Sequence, residues 1–452
     1  MLCGWWVSRT TAAPMLPDPE RGGIGNAMEL ILAGTILLIL SLSGAPMFGI
    51  IAAIGLLAFQ AAGIDAAALI VELHRLADFP ALIAVPFFTF AGHVLSESRA
   101  PQRLINLAQA LFGWVRGGLA IVVLCTAAVF TAFTGASGVT IIALGGLLYP
   151  SLLKHGYPER FSLGLITTSG SLGLLFPPSL PIILYALVAK ISVNTLFLAG
   201  IVPGLLLVMI LSLYSVRIGV RAKVARLPFS PVGVWRAVRD AAWEIPLPFL
   251  IIGGIYGGAF TATEASVVTA VYALLVEGVI RRDLGMVRDL PRIIRESMVL
   301  VGAIFVMLGA AMGLTNYLVD QEIPKSLFSL ISEYVNNKYG FLIILNVVLL
   351  GVNMLEVFSA IIVIVPIIVP IALGYGIDPV HLGVMFLLNL EIGYMIPPLA
   401  LNIFLSSFKF RKTLPEVYLA VVPFLVLLLI ILLFITYVPG LSLLTSAGGV
   451  NR

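Results

Sequence analysis

Long runs of apolar residues, separated by short segments that carry glycine, proline or charge, make up nearly all of the chain after residue 30. A helix that crosses a membrane needs about 20 consecutive apolar residues, and most of the runs are near that length. The runs are 30–60, 78–95, 117–134, 138–153, 161–176, 181–216, 245–279, 297–317, 326–352, 357–375, 382–396, 399–408 and 415–439. This pattern predicts an all-α polytopic membrane protein with about 10–12 transmembrane segments.

The composition excludes the main alternatives. Soluble domains have about 25 % charged residues, whereas this chain has 11 % charged and 60 % hydrophobic residues. A soluble enzyme, a nucleic-acid-binding protein and a secreted disulfide scaffold are therefore excluded. The net charge of +4 is too small to indicate a polyanionic partner. Residues 1–27 contain no apolar run, and we expect this extension to be disordered or to precede a translation start at Met28.

Several apolar runs are interrupted in ways that a simple spanning helix does not explain. Only residues 135–138 (Gly-Ala-Ser-Gly) separate the third run from the fourth, which predicts a hairpin that enters and leaves the membrane on one side. Residues 177–181 (Pro-Pro-Ser-Leu-Pro) follow the fifth run, and tandem prolines cannot continue a helix. The freed backbone groups are tolerated at membrane depth only where they line a cavity or bind something. The run 245–279 would be about 52 Å long as one helix, so its glycine pairs predict a broken helix or a hairpin.

Clusters of basic residues predict which loops face the cytoplasm. Two linkers carry most of them: Arg217, Arg221, Lys223, Arg226, Arg236 and Arg239 in the first, and Arg281, Arg282, Arg288, Arg292 and Arg295 in the second. A third, weaker cluster is Lys409, Arg411 and Lys412. The linkers divide the chain into a first half (28–216), a connecting region (217–296), a second half (297–440) and a tail (441–452).

The two halves repeat at a constant offset of 220 residues. Five glycine and proline positions coincide without a gap: Pro150 with Pro370, Gly156 with Gly376, Gly173 with Gly393, and Pro177-Pro178 with Pro397-Pro398. Repeats with interrupted helices at corresponding positions are typical of secondary transporters, whose substrate and ions bind near the membrane midplane. The sequence alone leaves open whether the copies are inverted.

Polar residues beside the interruptions are the candidates for binding. They are Ser137, Thr140, Ser169, Ser171 and Ser179 in the first copy, and Asn353, Glu356, Ser359, Asn389, Glu391 and Asn402 in the second. Hydroxyl, amide and carboxylate oxygens suit a small cation, and the amino-terminal ends of half-helices suit an anion. Alternatively, each hydroxyl bonds its own backbone or a neighbouring helix. For Glu356 and Glu391 the alternatives are binding and a structural pair.

Other polar residues have simpler interpretations. Glu264 lies three residues after Thr261, which predicts a capping box at a helix start. Lys154, His155, Arg160, Asp378 and His381 are expected to be solvated charges in turns. The Gly-x-Ser-Gly at Ser137 also occurs in intramembrane serine proteases, but none of the four histidines lies in the middle of a later apolar run to act as its base. No metal-ligand spacing and no nucleotide-binding loop is present in the sequence, so uphill transport would draw on an ion gradient.

A set of motifs carries a family resemblance. The motifs lie at 84–88, 91–92, 117–120, 135–138, 156–157, 172–179, 200–204, 254–265 and 376–383. From about Glu29 to Tyr437 the chain resembles the large membrane subunit (DctM-type) of the tripartite ATP-independent periplasmic (TRAP) transporters.

The resemblance implies an elevator-type transporter of the bacterial inner membrane, with inverted repeats and two re-entrant hairpins. It implies Na⁺-coupled uptake of an organic acid, a C4-dicarboxylate or related carboxylate, with no cofactor besides the coupling ion. The expected partners are an extracytoplasmic solute receptor (DctP-type) and a small four-helix membrane subunit (DctQ-type), the latter as a separate chain. A stand-alone Na⁺/dicarboxylate symporter of the same fold is the alternative.

The resemblance also implies site residues. The first Na⁺ site would involve Ser137, Gly138, Gly170 and Gly173, and the second Asn353, Glu356 and Gly393. The substrate would lie between the hairpin tips and the double prolines, with the candidates Ser137, Thr140, Pro178, Ser179, Asn389, Glu391, Pro398 and Asn402. Ile396 and Ala400 stand where the family has Thr and Gly, and Glu356 where it often has Asp, so the second Na⁺ site lacks a hydroxyl that the family has there.

Overall fold

The computed structural model describes residues 32, 34–36, 39–40, 47–67, 70–71, 74, 76, 79–224, 228–352, 357–397 and 400–444. Within these ranges all regular structure is helical, which confirms the predicted fold class. The first helices are α1 (Met47–Ala61), α2 (Ala84–Glu97), α3 (Ala100–Phe112), α4 (Gly118–Thr134), α5 (Ser137–Lys154), α6 (Glu159–Ser169), α7 (Leu180–Val188) and α8 (Val193–Arg221). Three helices follow in the connecting region: α9 (Pro231–Asp240), α10 (Pro246–Tyr256) and α11 (Ala262–Leu274), the last of which continues as a π-helix, Leu275–Ile280. The remaining helices are α12 (Asp289–Asp320), α13 (Ile323–Tyr334), α14 (Lys338–Val352), α15 (Val357–Gly374), α16 (Pro379–Gly393), α17 (Leu401–Phe410), α18 (Leu414–Tyr437) and α19 (Gly440–Leu443).

The interruptions read from the sequence are breaks between helices. Helices α4 and α5 form the expected hairpin, and Gly135 ends α4 with a φ of 64°, a conformation that glycine adopts without strain. The segment 245–279 is also a helical hairpin, α10–α11. The predicted capping box starts α11: the Thr261 side chain accepts from the backbone N–H of Glu264, whose carboxylate accepts from the Thr261 N–H.

The 220-residue repeat is visible in the helices themselves. Helices α4, α5 and α6 begin at residues 118, 137 and 159, and each of α14, α15 and α16 begins 220 residues later. Both turns after the hairpins contain a glycine with positive φ, 88° at Gly156 and 70° at Gly376.

Contacts between the copies show that they are inverted. Glu159, the first residue of α6, forms an ion pair with Lys412, just after the end of α17. Pro379, the first residue of α16, accepts a hydrogen bond from Tyr185 near the end of α7 at 3.2 Å. The start of each broken helix thus lies beside the end of the other, so α6–α7 and α16–α17 run antiparallel.

The packing distinguishes two groups of helices, which meet where α2 packs on α4 and α12 on α15. In one, α12 packs on α1 and α2, and α2 packs on α11. In the other, the repeats interlock, with α18 on α6, α17 on α5, and α16 on α8. Among the described residues, seven helices are long and apolar enough to span a membrane, or up to nine if each of two bent pairs is one span. Shorter apolar helices such as α1, α4, α10 and α16 are outside that number, so the total of 10–12 crossings stays a prediction, as do the predicted domain boundaries.

The outer surface is apolar, as expected of a surface that faces lipid. Phe249 and Phe408 are 72 % and 85 % exposed, and Leu213 is 64 % exposed. A soluble monomer does not expose large side chains on this scale without a partner or a membrane.

Candidate functional site

The first hairpin tip is tied to the first helix break by hydroxyl groups. The Thr131 hydroxyl in α4 donates to the carbonyl oxygen of Gly170 at 2.9 Å, and its oxygen lies 2.6 Å from the hydroxyl oxygen of Thr140 in α5. Ser137 is 4 % exposed and Thr140 is 2 % exposed. The structure therefore brings Ser137, Thr140 and Gly170 of the predicted site together, and adds Thr131.

Two glycines allow this close approach. A β-carbon at Gly173 would lie 2.3 Å from the backbone nitrogen of Ala132, and one at Gly170 would lie 2.5 Å from Ile141 Cγ1. Carbon atoms do not approach so closely, so any side chain at these positions would push the break away from the hairpin. Gly138 instead faces the second copy, where a β-carbon would lie 2.7 Å from Leu405 Cδ1.

The first break lies between α6 and α7 and is buried except for the half-buried Phe176. A 3₁₀ turn, Leu172–Leu175, continues α6, and the chain bends by 45° before α7 begins. Pro178 and Ser179 are buried there. The Ser179 hydroxyl has no hydrogen-bond partner among the described residues, and neither has that of Thr168 in α6.

Asn402 of the second copy reaches into this first break. Its amide donates to the carbonyl oxygen of Thr167 at 3.3 Å and to the Ser171 hydroxyl at 3.4 Å, and Thr167 in turn donates to the hydroxyl of Ser406 in α17 at 2.8 Å. The Asn402 side-chain oxygen is buried without a described partner. Asn402 thus joins the two breaks.

Glu391 is the most isolated polar group in the second break. It is 0 % exposed, and neither of its carboxylate oxygens has a hydrogen-bond partner among the described residues. The repeat offers a reason, because Glu391 corresponds to Ser171, which accepts from Asn402, whereas Asn402 corresponds to the apolar Ile182. The donor that serves the first copy is therefore missing from the second.

The side chain of Asn389 contacts α14. Its amide donates to the side-chain oxygen of Asn346 in α14 at 2.7 Å, and the Asn346 amide donates to the Thr436 hydroxyl in α18 at 3.1 Å. The same helix carries His381, whose imidazole lies 3.2 Å from the Ser442 hydroxyl and is 2 % exposed. The prediction that His381 is solvated is wrong, because α16 buries its first turn against α18 and α19.

Part of the second predicted site lies outside the described residues, namely Asn353, Glu356 and Pro398. Gly393 is buried at the end of α16, and the departures Ile396 and Ala400 flank the second double proline, Ala400 being fully buried. The described part of the second hairpin is also less polar than the first: Val357 and Ala360 of α15 correspond to Ser137 and Thr140.

The unpartnered atoms define what the site can bind. Buried polar groups in proteins almost always have hydrogen-bond partners, and exceptions indicate a ligand, an ion or a water molecule. Here the unpartnered oxygens of Thr168, Ser179, Glu391 and Asn402 lie in or next to the breaks, and that of Thr134 lies at the end of α4, beside the first hairpin tip. Those of Thr126, Glu244 and Asn389 lie elsewhere. An all-oxygen set of this kind suits a hard cation. The amino-terminal ends of α5, α7 and α17 lie in the same region, and their backbone N–H groups favour an anion.

Protease chemistry has no support at Ser137. The described imidazoles of His93, His155 and His381 contact Thr89, Ser151, Ser442 and Thr436. None of these contacts reaches Ser137, so the base that a serine nucleophile needs is missing from the described contacts.

Sequence reasoning missed Thr131, Thr167, Thr168, Asn346 and Ser406, because it looked for polar groups at the interruptions. The signal was available, since each of these residues is a polar position inside a long apolar run.

An inverted, all-helical repeat with buried unpartnered oxygens at two helix breaks defines a multi-pass membrane transporter of the secondary type. The profile of the family "Tripartite ATP-independent periplasmic transporter, DctM component" matches residues 32–441. The chain belongs to this family and is a TRAP transporter large permease, not an enzyme.

Individual relatives agree with this assignment. The chain is 37 % identical to the C4-dicarboxylate TRAP transporter large permease protein DctM of Pseudomonas aeruginosa, over 83 % of this chain and 88 % of that protein. It is 32 % identical to the isethionate TRAP transporter permease protein DctMQ of Oleidesulfovibrio alaskensis, over 81 % of this chain and 58 % of that protein. It is also 32 % identical to the ectoine/5-hydroxyectoine TRAP transporter large permease protein UehC of Ruegeria pomeroyi, over 80 % of this chain and 85 % of that protein.

A solved structure shares the fold. The YdaH transporter of Alcanivorax borkumensis superimposes with a TM-score of 0.62 at 12 % identity, over 82 % of this chain and 87 % of that one. At this identity the likeness concerns the fold alone.

Proposed function

We propose that this chain carries out Na⁺-coupled uptake of an organic acid across the bacterial inner membrane, as the transport subunit of a tripartite system. The acid is a C4-dicarboxylate or a related carboxylate, handed over by an extracytoplasmic solute receptor, and a small four-helix membrane subunit accompanies the chain. The observation that carries this proposal is the group of buried oxygens without partners at the two helix breaks.

The first Na⁺ site is placed at the first hairpin tip, with Ser137, Gly138, Gly170 and Gly173. The close packing of Gly173 against α4 and the Thr131 bond to the Gly170 carbonyl support it, because both hold the tip and the break in one fixed geometry. The second site is assigned to Asn353, Glu356 and Gly393, of which only Gly393 is described.

The substrate is placed between the two breaks. Ser179 and Asn402 support this position, since each has a buried oxygen without a described partner. Ser137, Thr140, Pro178, Asn389, Glu391 and Pro398 complete the proposed set. In this arrangement the helix amino termini attract the carboxylate groups, and Na⁺ offsets the charge that would otherwise be buried alone.

Transport is proposed to follow an elevator mechanism. The two helix groups support it: in the proposed motion the interlocked repeats move against the group formed by α1, α2, α11 and α12, across the contacts of α2 with α4 and of α12 with α15.

The relatives differ in the substrate that they are named for. The relatives described above are named for a C4-dicarboxylate, isethionate and ectoine. We therefore expect the receptor to set much of the selectivity and take succinate as the first probe.

The test is uptake into proteoliposomes under an imposed Na⁺ gradient, with a mixture of labelled organic acids that includes succinate. The chain is reconstituted alone, with the small subunit, and with the small subunit plus the receptor. We expect uptake only when both partners and Na⁺ are present. Uptake by the chain alone would point to a stand-alone symporter, and partner-dependent uptake indifferent to Na⁺ would show another coupling ion.

A further inference from the structure

A cavity of about 330 Å³ lies between the two helix groups, apart from the breaks. Its walls include Leu187 and Val188 at the end of α7, Leu308 and Met312 of α12, and Ile362 of α15. The volume is at the lower end of the roughly 300–1,000 Å³ typical of small-molecule sites.

The cavity lies at the extracytoplasmic end of the molecule. The positive-inside rule places the first basic linker, residues 217–239, in the cytoplasm. Helix α8 runs into this linker, so its other end, next to the cavity, is extracytoplasmic. It has 29 residues and is about 43 Å long. Lys190 lies just before the start of α8, and Asn316 lies near the end of α12, whose start follows the second basic linker. Both residues line the cavity.

Lys190 is the one charged residue among the described residues that line the cavity. Lys190 is exposed, and no carboxylate among the described residues lies within ion-pairing distance of its amino group. The remaining polar groups of the lining are the Thr315 hydroxyl and the Asn316 amide. A cation with two hydrogen-bonding side chains in an apolar wall is a suitable environment for a small anion.

The cavity also borders α15, the helix that follows the second hairpin tip. Ile362 is 1 % exposed and lies one and a half turns into this helix. On the opposite wall Leu308 is also 1 % exposed, one residue after Met307, whose sulfur contacts the Ser359 hydroxyl at 3.3 Å. An anion held at Lys190 would therefore lie beside the apolar wall that α12 and the first turns of α15 form.

We propose that Lys190, Thr315 and Asn316 form a vestibular binding site for the carboxylate substrate, occupied after the receptor releases it and before it reaches the breaks. This inference rests on the proposed function and adds a second, more superficial station to it. Lys190 attracts one carboxylate group, and Thr315 and Asn316 offer it hydrogen bonds.

The first test compares uptake by three variants of the reconstituted complex, with labelled succinate as the probe. Removing the charge in Lys190→Gln is expected to raise the KM about fivefold to tenfold with little change in kcat, as a partly solvated charge interaction implies. Lys190→Arg keeps the charge and should stay within about twofold of the unmodified protein. The matched control is Lys325→Gln, which removes an equal charge at the same end, from an exposed pair with Glu322.

The second test reads out binding without transport. Cys3 and Cys125 are replaced by Ser and Ala, Lys190→Cys is introduced, and its modification by aminoethyl methanethiosulfonate is followed by mass spectrometry. Succinate is expected to slow the modification, and the aminoethyl group, which restores a positive charge, should restore the KM. The uncharged methyl reagent should not restore it.

Two results would overturn the proposal. One is a Lys190→Gln variant with an unchanged KM, and the other is modification of Lys190→Cys that is slow with and without succinate, as expected if lipid chains fill the cavity. If the unmodified complex takes up no acid at all, it is the proposed function that fails. Protection of Lys190→Cys by succinate would then still report on the vestibule.

Discussion

The hydroxyl of Thr131 connects three parts of the first site. It bonds the Gly170 carbonyl and the Thr140 hydroxyl, and its helix packs against Gly173. Leaving buried partners unsatisfied costs about 1–3 kcal/mol. Loss of the Thr131 hydroxyl would therefore weaken the contacts that hold the hairpin tip and the break in the geometry that the proposed Na⁺ site needs.

Replacing Thr131 with Val keeps the shape and removes the hydroxyl. We expect Thr131→Val to raise the Na⁺ concentration for half-maximal uptake by at least about fivefold, the equivalent of roughly 1 kcal/mol. Thr131→Ser keeps both hydrogen bonds and should stay within about twofold. Equal Na⁺ dependence of the two variants would show that the hydroxyl does not support ion binding.

Glu391 differs from Thr131, because neither of its carboxylate oxygens has a hydrogen-bond partner among the described residues. A buried carboxylate without a partner destabilises a fold unless a ligand or a proton neutralises it. We expect Glu391→Gln to preserve or raise the thermal stability of the complex while lowering the uptake rate at least about tenfold. A variant with lower stability and normal uptake would make Glu391 a structural group.

At the level of elements, one arginine binds three carboxylates that are distant from it in sequence. The Arg103 guanidinium in α3 contacts Glu244 between α9 and α10 at 2.5 Å, Glu277 in the π-helix at 2.7 Å, and Asp283 in the following loop at 2.6 Å. The side chains are between 0 % and 13 % exposed. Burial works against ionisation of Asp283, but the hydrogen bond and charge of Arg103 prevail and lower its pKa.

Removing Arg103 would leave three carboxylates close together without their cation. Breaking a buried ion pair in this way costs about 3–5 kcal/mol. We expect Arg103→Gln to lower the thermal unfolding midpoint of the purified protein strongly, and Arg103→Lys to lower it less, because lysine cannot serve three acceptors in one plane. Arg239→Gln, at an exposed position of α9, is the control and should have little effect.

For the molecule as a whole, the two helix groups must move past each other if the elevator mechanism holds. Met307 of α12 and Ser359 of α15 touch across the boundary between the groups. Replacing both with cysteine and cross-linking them with Hg²⁺ is expected to stop uptake reversibly, with recovery after addition of a thiol.

The control cross-link lies within one group. A β-carbon at Gly55 of α1 would lie 3.8 Å from Leu314 Cβ in α12, an ordinary disulfide separation. The pair Gly55→Cys and Leu314→Cys should cross-link without loss of uptake. Full uptake with the first pair cross-linked would rule out the proposed motion.

The sequence by itself determined the class of fold, the helical hairpin at 135–138, the break at the first double proline and the 220-residue repeat. These follow from local rules, since apolar run length, tandem proline and glycine act within a few residues of themselves. It also determined Ser137, Thr140 and Gly170 as neighbours of an interruption. Only the tertiary structure decided that the copies are inverted, that Thr131 and Asn402 join the first break, that Asn389 turns towards α14, and that His381 is buried. Those outcomes depend on which helices pack together, across 39 residues of chain for Thr131 and Gly170 and 235 for Asn402 and Thr167. A hydroxyl or amide in an apolar run looks the same in sequence whichever neighbour it meets.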